Sequence, residues 1–182
     1  MNEYETLAQS DSIYLDTSAL AKIEKFEGNS SQLVNLLVYG STLPKFSSYV
    51  AFGEFIGILG RRDVQQSIGG TIGYLFRCRR LMAEVFDIQK IRRAEPVQDR
   101  FQFVRLAEQL WTKYSKLGGG DIWHLMAVLE LQQTNSAVAL LTFDEDLAKA
   151  ARSEKIQTVY GVNLKPEFLI EALRSKSKWI AI

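Results

Sequence analysis

Two short apolar runs along the chain end abruptly in an aspartate, and a helical pattern follows each at once. Ile13-Tyr14-Leu15 runs into Asp16, and Ala137-Val138-Ala139-Leu140-Leu141-Thr142 runs through Phe143 into Asp144. Apolar runs of this length bounded by polar turns predict buried strands. Thr17 and Ser18 predict a helix start, because their hydroxyls accept from free backbone N–H groups. Further strands are predicted at 42–46, where Pro44 argues for an edge or irregular strand, and at 156–160. Helices are predicted from Ser18 to about Phe26, stopping at Gly28, and from Asn29 or Ser30 through Leu33, Leu36, Leu37 and Gly40. Ser47 or Ser48 caps the next, from Tyr49 to about Arg62, with Val50, Phe52, Phe55, Ile56 and Leu59 on its apolar side.

A long helical stretch is predicted from Asp63 to about Ala94, with Ile68, Ile72, Leu75, Phe76, Met82, Val85 and Phe86 as its stripe and a break at Gly69, Gly70 and Gly73. Gln98–Leu117 is a clearer helix, with Phe103, Ala107, Leu110, Trp111 and Tyr114 at helical spacing. Gly118-Gly119-Gly120 is a joint before a helix opened by Asp121, and Pro166 opens a last helix to about Ser175. Residues 1–11 are predicted to fray, and Trp179–Ile182 to pack as an apolar tail on the body or on a second subunit. Strands alternating with helices predict one α/β domain with a parallel sheet spanning 1–182.

Composition adds limits. A chain of 182 residues with 47% hydrophobic content suits one domain with a substantial core. The single cysteine, Cys78, excludes an internal disulfide and a cysteine-rich zinc site. No apolar run reaches the roughly 18 residues of a membrane span, so a cytoplasmic protein without membrane contact is expected. Net charge is +1, unevenly spread. Between Arg61 and Lys116 lie 12 basic and 6 acidic residues, which suits a chain that handles a polyanion. Arg77, Arg79, Arg80, Arg92 and Arg93 are the expected contacts to a phosphate backbone.

Candidate chemistry lies in four acids. In a parallel sheet Asp16 and Asp144 end strands at the same edge, where open α/β sheets bind ligands. Asp121 stands in the first turn of a helix, and Glu54 is one acid in an otherwise apolar helix. Two carboxylates about 5 Å apart repel by roughly 3 kcal/mol at an effective dielectric near 20, so such a cluster takes up protons or binds a cation. Oxygen donors, with no cysteine cluster and one histidine, point to Mg²⁺ or Mn²⁺. His124, one turn after Asp121, suits a core or helix-surface position better than a phosphate contact. A phosphatase using Asp16 as nucleophile fits less well, since Ser18 stands where a second aspartate is usual.

Leu15-Asp16-Thr17-Ser18-Ala19-Leu20, Glu54, Gly120-Asp121 with Ala127, and Leu141-Thr142-Phe143-Asp144 together resemble the four motifs of PIN-domain ribonucleases, most closely VapC-like toxins of toxin–antitoxin pairs. The resemblance runs in order over about residues 12–161. It implies a three-layer α/β/α sandwich with a central parallel sheet and Mg²⁺- or Mn²⁺-dependent RNA cleavage. A homodimer and an antitoxin partner are implied too. It assigns catalytic and metal-binding roles to Asp16, Glu54, Asp121 and Asp144, and supporting roles to Ser18, Thr142 and Asp146. The segment at about 61–117 is longer than compact toxins need, and a C-terminal helix and tail follow at 166–182. A non-catalytic PIN-like module that binds RNA or protein is the alternative.

Overall fold

The computed structural model describes residues 2–24, 28–83, 91–96, 100–134 and 137–180. Five parallel strands form one sheet: β1 (Ser12–Leu15), β2 (Lys45–Ser47), β3 (Ile91–Arg93), β4 (Val138–Thr142) and β5 (Gln157–Tyr160). Their order is β3-β2-β1-β4-β5. From β1 the chain builds outward through β2 and β3, then returns to place β4 on the other side. The winding therefore reverses between β1 and β4, and the crevice at their carboxyl ends is where such sheets bind ligands.

The pleat sorts the apolar residues of the strands into two cores, because successive side chains point to opposite faces. Ile13, Leu15, Ala139, Leu141 and Val159 join one core with α1 (Glu3–Gln9), α2 (Thr17–Glu24), α3 (Gly28–Asn35), α4 (Tyr49–Leu59) and α10 (Pro166–Arg174). Tyr14, Val138 and Leu140 join the other with α7 (Arg100–Lys113), α8 (Gly119–Thr134) and α9 (Glu145–Ser153). The result is the three-layer α/β/α sandwich of a PIN-like fold. Each fully buried leucine contributes about 1.5–3 kcal/mol of transfer free energy. No described helix is long and apolar enough to cross a membrane.

Three expectations are corrected. Residues 3–9 do not fray but form α1. Asn2 accepts from the Glu5 N–H at 2.8 Å while the Glu5 carboxylate accepts from the Asn2 N–H at 3.1 Å, a reciprocal cap. Leu7 and Ala8 are buried beneath it. The long helix after Asp63 is instead α5 (Arg62–Ser67), α6 (Gly70–Arg80) and strand β3. Gly69 and Gly70 take φ of 91° and 66°, a left-handed pair that breaks the helix at little cost for glycine. Val85 and Phe86 of the expected stripe, and the helix end near Phe26, lie outside the described residues. Finally, β2 starts at Lys45 rather than Thr42; of the two readings of Pro44 the edge strand falls, since β3 pairs outside it, and the irregular one stands, since residues 42–44 lie outside the strand. Pro44 precedes the paired residues and its carbonyl accepts from Ile13 N at 2.9 Å, so its missing N–H is not needed.

The second predicted helix is α3 followed by a π-helical turn, Leu36–Gly40. Trp179 packs back on the body. A Cβ on Gly40 would meet its ring at 2.6 Å, and Ser41 bridges to it in the backbone.

Leu140→Ala, at a fully buried position, is expected to lower the unfolding free energy by about 2–5 kcal/mol. Leu75→Ala, on a 59% exposed position of α6, is expected to change it by less than about 0.5 kcal/mol. Urea denaturation of both variants checks the assignment of core and surface.

Candidate active site

Asp16 follows β1 directly and is 3% exposed. Its Oδ1 accepts from Ala19 N at 2.8 Å, so the aspartate itself caps α2. Thr17 and Ser18, read as caps from their hydroxyls, are freed for other work. The Ser18 hydroxyl lies 2.8 Å from both carboxylate oxygens, and the Thr142 hydroxyl donates to Oδ2 at 2.6 Å. Burial pushes the Asp16 carboxyl above the ordinary range, while the hydrogen bonds from Thr142, Ala19 and Ser18 pull the other way. Ser18 and Thr142 in turn accept from the backbone N–H groups of Phe143 (2.8 Å) and Asp144 (2.9 Å). The ends of β1 and β4 are thus tied together through one carboxylate. Asp144 repeats the device: its Oδ1 accepts from Leu147 N at 2.8 Å and caps α9.

Glu54 reaches the same edge from α4. It accepts from the Thr17 hydroxyl, and its Oε2 lies 3.6 Å from His124 Nε2. His124 and then Thr17 hold its carboxyl below the ordinary range, against partial desolvation. A Cβ on Gly120 would stand 1.8 Å from Glu54 Oε1, so glycine there is what lets the carboxylate lie on the first turn of α8. Asp121 is next along that turn, and its Oδ2 accepts from Gly118 N at 3.0 Å. Desolvation raises the Asp121 carboxyl, and Asp144 and Glu54 raise it further by repulsion. Three of the four acids, Asp16, Asp121 and Asp144, stand at helix starts, where the helix dipole favours negative charge.

Other expected residues separate. Asp146, exposed in the first turn of α9, lines a cavity of about 300 Å³ with Lys113, Tyr114, Lys116 and Lys149. Arg92 and Arg93 are exposed on β3. Arg93 sits opposite Ser47 at the carboxyl end and lies 4.9 Å from the centre of the Tyr49 ring. Glu95 ties this corner to α8, accepting from Tyr49 N (2.7 Å) and Trp123 Nε1 (3.0 Å). Arg77, Arg79 and Arg80 are instead in the last turn of α6. The residues that sequence reasoning passed over are Thr17, Tyr14 and Gly120. His124 proves to be a core residue that also touches Thr17. The adjacency of Thr17 to Asp16 and of Gly120 to Asp121 was the available signal.

The acids offer oxygen donors, which suit hard cations. Among the described residues no three His, Cys, Asp or Glu side chains are gathered to hold one metal ion. Mg²⁺ usually keeps several waters and takes one or two carboxylates, so the donor set fits a largely hydrated ion rather than an all-protein cage.

No protein-family model matches the chain, and no curated protein does. Among solved structures it is similar to a chain of the FitAcB crystal structure from Neisseria gonorrhoeae. The identity is 12% and the TM-score 0.56, over 84% of this chain and 99% of that one. At that identity the likeness concerns the fold alone.

Because the folded-state pKa of Asp121 is raised, its ionised form costs the folded state stability at neutral pH. That cost disappears as pH falls below the unfolded carboxylate pKa, about 3.9. Asp121→Asn keeps an acceptor for Gly118 N. It is expected to raise Tm at pH 7 and to leave it unchanged near pH 3, as scanning calorimetry at the two pH values would read.

Proposed function

We propose that the chain is a Mg²⁺- or Mn²⁺-dependent endoribonuclease, the toxin of a toxin–antitoxin pair. The observation that carries this reading is the placement of Asp121, at the carboxyl edge of the sheet and beside a buried Asp16, where both Asp144 and Glu54 repel its charge. A cation relieves such repulsion. In this reading Asp121 and Asp144 hold the ion, with Asp16 and Glu54 bordering it. A bound ion of this kind acidifies a water and neutralises charge on a phosphoryl group. The chain's own part is positional. Ser18 and Thr142 fix Asp16, Gly120 leaves room for Glu54, and Arg93, at the same edge with Arg92, holds RNA phosphates. The shared fold with a chain of FitAcB adds support.

An antitoxin protein is the partner this reading expects, and a homodimer the expected assembly. Ile72, Leu75, Phe76 and Arg79 recur at helical spacing on α6, all exposed. An apolar stripe ending in a cation suits a partner helix that carries acids. The lack of a three-acid metal set among the described residues favours the second reading, a non-catalytic PIN-like module that binds RNA or protein.

Mn²⁺ at about one hundred times its Kd is expected to raise Tm by roughly 5–10 °C. Asp144→Asn retains an equally good helix cap, and is expected to abolish both that shift and metal-dependent RNA cleavage while leaving the metal-free Tm near wild type. No Tm shift in the wild-type chain speaks for the second reading. Arg93→Ala is expected to lower the slope of log Kd against log salt by about one for single-stranded RNA, measured by fluorescence anisotropy.

A further inference from the structure

The His124 ring is 1% exposed, and the reaction outlined above gives it no part. Its two nitrogens face different partners. Nδ1 is 3.0 Å from the Tyr14 hydroxyl, and Nε2 is 3.1 Å from the Thr17 hydroxyl and 3.6 Å from Glu54 Oε2. We propose that His124 is a positioning residue, which from the core sets the Thr17 hydroxyl and so holds the Glu54 carboxylate against Gly120, beside Asp121. The importance of Glu54 rests on the nuclease reading; the network itself does not.

The direction of every hydrogen bond follows from its last acceptor. An ionised Glu54 only accepts, so the Thr17 hydroxyl spends its one proton on it. Thr17 Oγ1 then accepts a hydrogen bond from the His124 Nε2–H. In the neutral ring a protonated Nε2 leaves Nδ1 as acceptor, so the Tyr14 hydroxyl donates to it. Tyr14 can do so because burial pushes its phenol far above the ordinary range and keeps the proton in place. The chain of donors runs one way, from Tyr14 through His124 and Thr17 to Glu54.

Each member is placed by a different element. Tyr14 is in β1, Thr17 opens α2, His124 is in α8 and Glu54 is in α4. Glu54 itself is 41% exposed at its side chain. Among the described residues it pairs with no lysine or arginine, so the imidazole and the hydroxyl are what orient it. The Tyr14 and His124 rings meet edge to face with centroids 5.8 Å apart, which fixes the plane of the imidazole. Side chains that orient metal-site carboxylates typically govern 10–100-fold in metal affinity or activity.

Glutamine and asparagine separate the two nitrogens. A glutamine amide substitutes for Nε2 and an asparagine amide for Nδ1, so the two variants lose opposite ends of the network at a similar cost to the core. Imidazole ¹⁵N NMR on the metal-free wild-type chain at pH 7 should find the proton on Nε2 alone. A proton on Nδ1, as the other tautomer or in an imidazolium, overturns the proposal. His124→Asn should weaken Mn²⁺ binding, read by electron paramagnetic resonance, 10–100-fold, and lower kcat similarly with KM unchanged. His124→Gln should stay within about threefold of wild type in both. Equal losses in the two variants overturn the proposal. Thr17→Val, which leaves the core ring in place, should match His124→Asn and serves if that variant fails to fold. If the wild-type chain neither binds Mn²⁺ nor cleaves RNA, the nuclease reading fails on its own. The Glu54 carboxyl ¹³C shift then decides the positioning role. It should move in Thr17→Val and His124→Asn and stay in His124→Gln, and any other pattern counts against it.

Discussion

One buried carboxylate holds the working edge of this protein together. Asp16 ends the central strand, starts the following helix, and receives hydroxyl bonds from both Ser18 and Thr142. Those hydroxyls pass the order on to the backbone of Phe143 and Asp144. A lone ionised carboxylate in this position would cost several kcal/mol. Two hydroxyl donors and a backbone N–H in the first turn of a helix make it tolerable. The sheet's change of winding between β1 and β4 is what brings these groups to one crevice.

Around that anchor the other acids are brought in by separate elements with little freedom to move. Asp144 is tied to the start of α9 by its own capping bond. Glu54 depends on a missing Cβ at Gly120 and on partners in α2 and α8. The consequence is a graded edge. Asp16 is sealed in, Asp121 half buried, and Glu54 and Asp144 open to solvent. Charge is thus concentrated where a solvated cation or a phosphate can still approach, and the interior side is closed by Tyr14 and His124.

Most of the architecture was legible because apolar runs and alternating periods dictate it. Ile13–Leu15 and Val138–Leu141 have no exposed option, so their strands and the shared edge of Asp16 and Asp144 followed directly. The first helix was missed because its apolar face is only Tyr4, Leu7 and Ala8 in a short polar stretch, and its clearest signal is the reciprocal cap between Asn2 and Glu5. Strand β3 was missed because its three residues follow a stretch of helical periodicity and expose two arginines, which leaves Ile91 as the only apolar cue. Of the groups that support the acids, Ser18 and Thr142 were legible beside Asp16 and Asp144, whereas Tyr14, Thr17 and Gly120 were not. A hydroxyl beside an aspartate reads equally well as a helix cap or as a ligand to a distant glutamate. Only the fold decides between them, here in favour of Glu54 for Thr17.

Asp16 and Asp144 each close the first turn of a helix, and that job remains whether or not the chain cuts anything. A descendant that had given up cleavage would be under the same selection to keep both, simply to stay folded. Glu54 and Gly120 have no such second employment, since Glu54 lies within α4 and Gly120, in the first turn of α8, has no side chain with which to cap it. Within any lineage sharing this fold, drift should therefore first touch the glutamate and the glycine it leans on.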